Sequence, residues 1–331
     1  RMKRFGWTWV TFPLLVVVFS VGAYWAAYGL KGTEIRLNQV DLIDVDTSTS
    51  LVRGTHWSNL YSPRVDTYDL SLRPRWPGES AATDRRMVLA WLGLPGNGLG
   101  GMDPKTVNPT SWPGSYHFSS TLDRINGLPL QSWSTRSLTA RWSATWKDCP
   151  RPELARRDDL PSGRLTNPLD FALEECLLVY DRWVYVVGRI EPGASIALDE
   201  LEGRAQLKTL LTGHHMVLDK EDDKTRFQAT PYDAASVDPA YILRTMMFFE
   251  HAGGERYTHL SNGYQPFVDL SPLLNLSPVH ASDRAILIGV AGSARPPVAE
   301  ICRDGQPLNR AGNRHLTIYR FVFPVKEVPS P

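Results

Sequence analysis

This chain has no excess of charge of either sign. Its 36 Lys and Arg residues face 35 Asp and Glu, a formal net charge of +1. So even a balance leaves no basic footprint for nucleic acid and no field aimed at acidic substrates. Cysteine is scarce. Cys149, Cys176 and Cys302 are the whole set, and none stands in C-x-x-C spacing, so neither a zinc site nor a redox pair is signalled. Two of the three can pair in an oxidising compartment, and spacing does not say which. There is no G-x-S-x-G nucleophile elbow, no H-E-x-x-H helix, no internal repeat and no low-complexity tract. Long apolar runs are also lacking, with one exception.

That exception is Trp7–Leu30, WTWVTFPLLVVVFSVGAYWAAYGL. It holds no charge and would cover roughly 35 Å as a helix, enough for a ~30 Å hydrocarbon core. Trp7 and Trp9 mark one end, and Tyr24, Trp25 and Tyr28 the other, as in an interfacial aromatic belt. Arg1, Lys3 and Arg4 precede it, so the positive-inside rule places residues 1–6 in the cytoplasm and the bulk of the chain outside. Two other readings compete. A cleaved signal peptide has a passable small-x-small site at Ala27 and Gly29, but the run exceeds the usual ~7–15 residue core. A buried core helix is the other. Pro13 is tolerable in each. The chain opens on Arg1 rather than Met and reads as part of a longer protein.

About 300 residues follow, enough for one large or two medium domains. With 25 Gly and 25 Pro, strand and turn are expected rather than helix. Residues 34–72 read as three strands, broken at Asp46–Ser50 and Ser62–Arg64. Met87–Leu94 is a buried-strand candidate. Residues 138–146 alternate strictly, with Leu138, Ala140, Trp142, Ala144 and Trp146 on one face. Asp148–Arg164 reads as a charged linker. Strands are expected again at 176–180 and 183–187, around a tight turn at Asp181 and Arg182, and at 195–198. Leu201–Leu211 is a short amphipathic helix before Gly213. Pro239–His251 is a second helix, N-capped by Asp238. Strands return at 284–290, 298–302 and 316–325.

The 165–198 segment resembles bacterial surface Ig-like modules of the CARDB type. Those carry a strand ending in an Asn turn and a later Gly-x-Leu-x-Pro-Gly-x-Ser turn before the last strand. Here the first turn stands at Asn167-Pro168, and the second runs from Gly188 through Ile190, Pro192 and Gly193 to Ser195. Pro168 and Leu169 replace the family's Thr-Gly, and Ile190 replaces its Leu. The resemblance implies a spacer or assembly element and brings no catalytic residue. The chain as a whole resembles the membrane-anchored C-terminal regions of bacterial envelope proteins.

Candidate chemistry is thin. Gly96, Gly98 and Gly101 match G-x-G-x-x-G after a strand, but Pro104, Pro109 and Pro113 forbid the helix a dinucleotide site needs. Gly96, Gly98, Gly100 and Gly101 are instead expected to form a flexible contact loop. Trp142 and Trp146, if exposed, suit stacking on sugar rings; packing in a core is the plainer reading. Glu250, His251, Glu255 and His259 lie close in sequence, yet Gly253 and Gly254 break the helix that would align them on a metal. His214 and His215 read as a loop pair. Glu174 and Glu175 are strand neighbours and point apart.

The expectation is a mainly β protein: an N-terminal transmembrane helix (7–30), an extracytoplasmic Ig-like β-sandwich region (33–200), a mixed helical insertion (201–280) and C-terminal strands (281–331). Its expected role is non-catalytic and cofactor-free: a bacterial cytoplasmic-membrane protein that contacts the lipid bilayer and an envelope protein partner, and no nucleic acid. A glycan-binding module and a cryptic hydrolase, metal-assisted or metal-free, are the alternatives.

Overall fold

In the computed structural model, residues 5–76, 86–91, 116–201, 203–212, 214–219, 224–229, 238–248, 276, 283–292, 295–308 and 313–327 are described. The first element is α1 (Phe5–Lys31), 27 residues with Pro13 inside. Its span Trp7–Ala27 is long and apolar enough to cross a membrane, and none of it is buried by the rest of the chain. Membrane anchors and signal sequences share this length and composition.

Strands follow in close order: β1 (Arg36–Asp46), β2 (Leu51–Ser62), β3 (Asp66–Pro74), β4 (Arg86–Trp91), β5 (His117–Phe118), β6 (Arg124–Leu130) and β7 (Ser134–Thr145). Next come β8 (Leu154–Arg157), β9 (Leu160–Thr166), β10 (Leu173–Tyr180), β11 (Trp183–Ile190) and β12 (Ser195–Ala197). The mixed region holds β13 (Ala205–Gln206), α2 (Leu207–Thr212), β14 (His214–Asp219), β15 (Lys224–Ala229) and α3 (Pro239–Met247). The chain closes with β16 (Arg284–Ala291), β17 (Ala299–Arg303), β18 (Gln306–Pro307) and β19 (Arg314–Glu327). The protein is mainly β, as its composition implies.

The larger sheet runs β13-β11-β10-β16-β19-β1-β2-β7-β4, and the smaller runs β18-β17-β3-β6-β5. Their facing sides share one core. Leu37, Ile43, Val45, Leu138 and Phe321 of the large sheet meet Tyr68, Leu70, Leu72, Ile125 and Ile301 of the small one. The outer side of the large sheet is covered as well. Leu177, Val179, Ile286 and Ile318 pack there with Leu207 and Leu211 of α2 and Ile242, Leu243 and Met246 of α3. α2 and α3 therefore form a third layer. Asp238 caps α3 as expected, accepting from the Ala240 amide at 3.0 Å.

The sheet joins the two ends of the described chain. β1 pairs in parallel with β19, from Asn38 opposite Arg314 to Asp46 opposite Val322. Segments 33–200 and 281–331 thus share one sheet. Other expectations are corrected. Asp148–Arg164 is not a linker: β8 and β9 pair as a hairpin, turned at Asp158 and Asp159, both with positive φ. Asp tolerates this left-handed region better than most residues. Residues 201–211 are helical only from Leu207, after the short strand β13. His214 and His215 open strand β14 rather than sitting in a loop.

Candidate functional site

Inward positions on β1 and β2 should be apolar, and most are. The exceptions face each other. Asp41 pairs with His56 across the two strands, and Gln39 pairs with Ser58 two residues on. All four are buried, Asp41 and His56 fully. His56 Nδ1 lies 2.7 Å from Asp41 Oδ1. Gln39 Nε2 donates to the Ala299 carbonyl of the opposite sheet at 3.4 Å. Four polar atoms remain: Gln39 Oε1, Asp41 Oδ2, His56 Nε2 and Ser58 Oγ have no hydrogen-bond partner among the described residues. Buried polar groups of this kind usually hold ordered water. This square sits between the sheets, sealed from solvent.

Beside it, β19 carries Thr317 next to Asp41 in register. Tyr319, two residues further on, faces the same inter-sheet core. Thr317 and Tyr319 also line an open cleft of about 220 Å³, together with Trp76, Phe171, His315, Pro297 and two arginines, Arg75 and Arg295. Aromatic rings build its wall. Phe171 and Trp76 lie 5.6 Å and 6.1 Å from Tyr319, centroid to centroid. Burial, with the Asp41 charge adding, pushes the Tyr319 phenol well above its ordinary value. It therefore stays protonated at neutral pH. Both arginines are engaged by the protein itself. Arg75 Nη2 sits 2.9 Å from Glu300 Oε2. Arg295 lies over the Phe171 ring at 4.1 Å and 3.4 Å from Asp170 Oδ1. A cleft this small suits a side chain or small group rather than a drug-sized ligand.

The expected contact residues fare differently. Trp142 and Trp146 are core residues, 4% and 6% exposed, so no sugar-stacking face exists there. The reason is the opposing strand. Gly54 pairs with Trp142, and the indole lies where a Gly54 Cβ would stand. Trp146 packs edge-on against Trp76 at 5.2 Å. The loop at Gly96, Gly98, Gly100 and Gly101 lies outside the described residues, as do Glu250, His251, Glu255 and His259. Glu174 and Glu175 have separate partners, Arg189 at 3.4 Å and Arg244 at 2.6 Å. Cys149, Cys176 and Cys302 are each buried as free thiols, which removes a pairing among them. No cluster of three or more metal-ligating side chains occurs among the described residues.

Neither the polar square nor the cleft was identified from the sequence. A signal for the square existed. At alternate positions β1 reads Leu37, Gln39, Asp41, Ile43, Val45, while β2 reads Val52, Gly54, His56, Ser58, Leu60. Polar residues on an otherwise inward apolar face mark a buried network. The cleft draws on residues 75 to 319, which no local pattern connects.

The 165–198 segment has its own organising residue. Asn167 is buried. Its Nδ2 donates to the carbonyls of Phe171, Ile190 and Glu191 at 2.8, 3.1 and 3.2 Å. Its Oδ1 accepts from the Leu169 amide at 3.1 Å. One side chain thus joins the Asn-Pro turn to the Pro-Gly turn.

A domain family of unknown function (DUF8725) matches residues 152–249, less than a third of the chain. No curated protein matches. Among solved structures, the chain is similar to the yeast delta-COP-I mu-homology domain complexed with a Dsl1 WxWxV peptide. Identity is 8% over 89% of this chain and 97% of that one, with a TM-score of 0.29. A likeness that low carries no argument about function.

Proposed function

We propose that this is a membrane-anchored, non-catalytic partner-binding protein of a bacterial envelope, with its sandwich on the extracytoplasmic side. The observation that carries the reading is the join between α1 and β1. The apolar helix α1, unburied over Trp7–Ala27, ends at Lys31, and after a four-residue connection the chain enters β1, an interior strand of the large sheet, at Arg36. A connection this short would keep the sandwich close to a membrane that α1 crosses. Arg1, Lys3 and Arg4 support an inside N-terminus. The Asn167 clasp supports reading 165–198 as a CARDB-like Ig module, since it ties together the two turns on which the resemblance rests. The sealed position of Asp41 and His56 favours a structural over a catalytic use of that pair. The glycan alternative has lost Trp142 and Trp146 to the core.

Protease accessibility tests the topology. In right-side-out spheroplasts added protease should digest the sandwich and leave a small membrane-protected fragment. Digestion only in inside-out vesicles would overturn the extracytoplasmic assignment.

A further inference from the structure

One surface feature lies outside the cleft and the polar square. At the turn between β10 and β11, the guanidinium of Arg182 sits 5.4 Å from the centroid of the Trp183 ring. Arg204, just before β13, sits 4.8 Å from the same ring. The chain brings them together by pairing: Trp183 opposes Gln206 in the β11–β13 ladder, and the Leu207 amide donates to the Arg182 carbonyl at 2.8 Å. Both arginines are exposed and Trp183 is half-buried. Among the described residues neither guanidinium has a carboxylate partner. Arg75, Arg295, Arg303 and Arg320 all do. A guanidinium held near a ring can keep its edge N–H donors free, and that fork matches carboxylate geometry. Two forks fixed to one indole are preorganised, so little side-chain entropy is lost on binding.

The register says which way this surface faces. Trp183 pairs with Tyr180, and Val179 with Ile286. Ile286 pairs with Val322, and Val322 with Asp46. The pair of arginines therefore lies level with the Asp46 end of β1, and α1 enters at the Arg36 end. The ten residue steps from Arg36 to Asp46 span about 33 Å of strand. The surface stands at the end of the sheet remote from the anchor, which disfavours the bilayer that α1 crosses as its ligand.

We infer that Arg182, Trp183 and Arg204 form a docking surface for an acidic segment of a partner protein, one presenting two or more carboxylates. This deepens the partner-binding reading and rests on it. The test uses the full chain in nanodiscs of neutral phosphatidylcholine, with a fluorescein-labelled oligo-glutamate peptide read by anisotropy. The peptide should bind, weaken as salt rises, and lose at least about tenfold in affinity in Arg182→Ala/Arg204→Ala. Arg182→Lys/Arg204→Lys should lose part of that, because charge stays and the fork goes. An unchanged melting curve in both variants confirms that binding, not folding, has changed. Equal peptide affinity in wild type and the double alanine variant overturns the proposal. So does arginine-dependent flotation with phosphatidylglycerol vesicles without peptide binding, which would assign the surface to anionic lipid. Either failure leaves partner capture by crosslinking as a separate test of the broader reading.

Discussion

His56 Nδ1 and Asp41 Oδ1 lie 2.7 Å apart in the centre of the sandwich, with neither side chain open to solvent. Their other polar atoms, His56 Nε2 and Asp41 Oδ2, are unpartnered among the described residues. The pair therefore depends on itself. Removing one member leaves a buried polar group or charge without compensation, at about 3–5 kcal/mol. Urea unfolding of the full chain in detergent should show that loss for His56→Ala and for Asp41→Ala. The double variant should lose clearly less than the sum. Strict additivity would contradict a coupled pair.

Gly54 and Trp142 depend on each other in a different way. The indole occupies the space over Gly54 that any Cβ would enter. Gly54→Ala should destabilise by about 1–3 kcal/mol through overpacking. Trp142→Ala should cost about 3–5 kcal/mol through the cavity it leaves. Thermal melts of the two variants check this. A Trp142→Ala protein as stable as wild type would place the indole outside the core.

Asn167 holds two turns with one side chain. Asn167→Ala frees the carbonyls of Ile190 and Phe171 and the amide of Leu169, each about 1–3 kcal/mol when buried and unpaired. The expected outcome is a loss of several kcal/mol and faster hydrogen exchange at Leu169 and Gly193. The Gly193 amide is included because it donates to the Asn167 carbonyl at 3.1 Å. Unchanged exchange at both sites would contradict the clasp.

Cys176 gives a pH dependence. Burial pushes its thiol from an ordinary 9.0 up to about 12. The folded state favours the neutral thiol, so its contribution is whole below pH 9 and is lost as pH rises from there toward 12. Urea midpoints should fall over that window more steeply in wild type than in Cys176→Ala. In the native state at pH 8, Cys176 should resist iodoacetamide, because the thiolate is the reactive form. Rapid labelling would contradict its burial.

Much of the strand pattern was legible. The three strands after the apolar run, the strict alternation at 138–145 and the hairpin turn at Asp181 all rest on local periodicity and turn chemistry, and they stand in the fold. The β8–β9 hairpin was hidden because its turn uses Asp158 and Asp159 in place of glycine. The parallel β1–β19 pair was hidden because nothing local relates Asn38 to Arg314. The same limit hid the cleft. Trp142 and Trp146 show why an aromatic face does not declare its surroundings: alternation says they share a side, and only the opposite sheet decides whether that side is wet.

The most direct test of the whole account is crosslinking of the intact anchored protein in its own membrane, followed by detergent purification and mass spectrometry. The account predicts a discrete, reproducible envelope protein partner, recovered in much lower yield when α1 is deleted and the sandwich is released from the membrane. Recovery of no protein above a matched uncrosslinked control would contradict it.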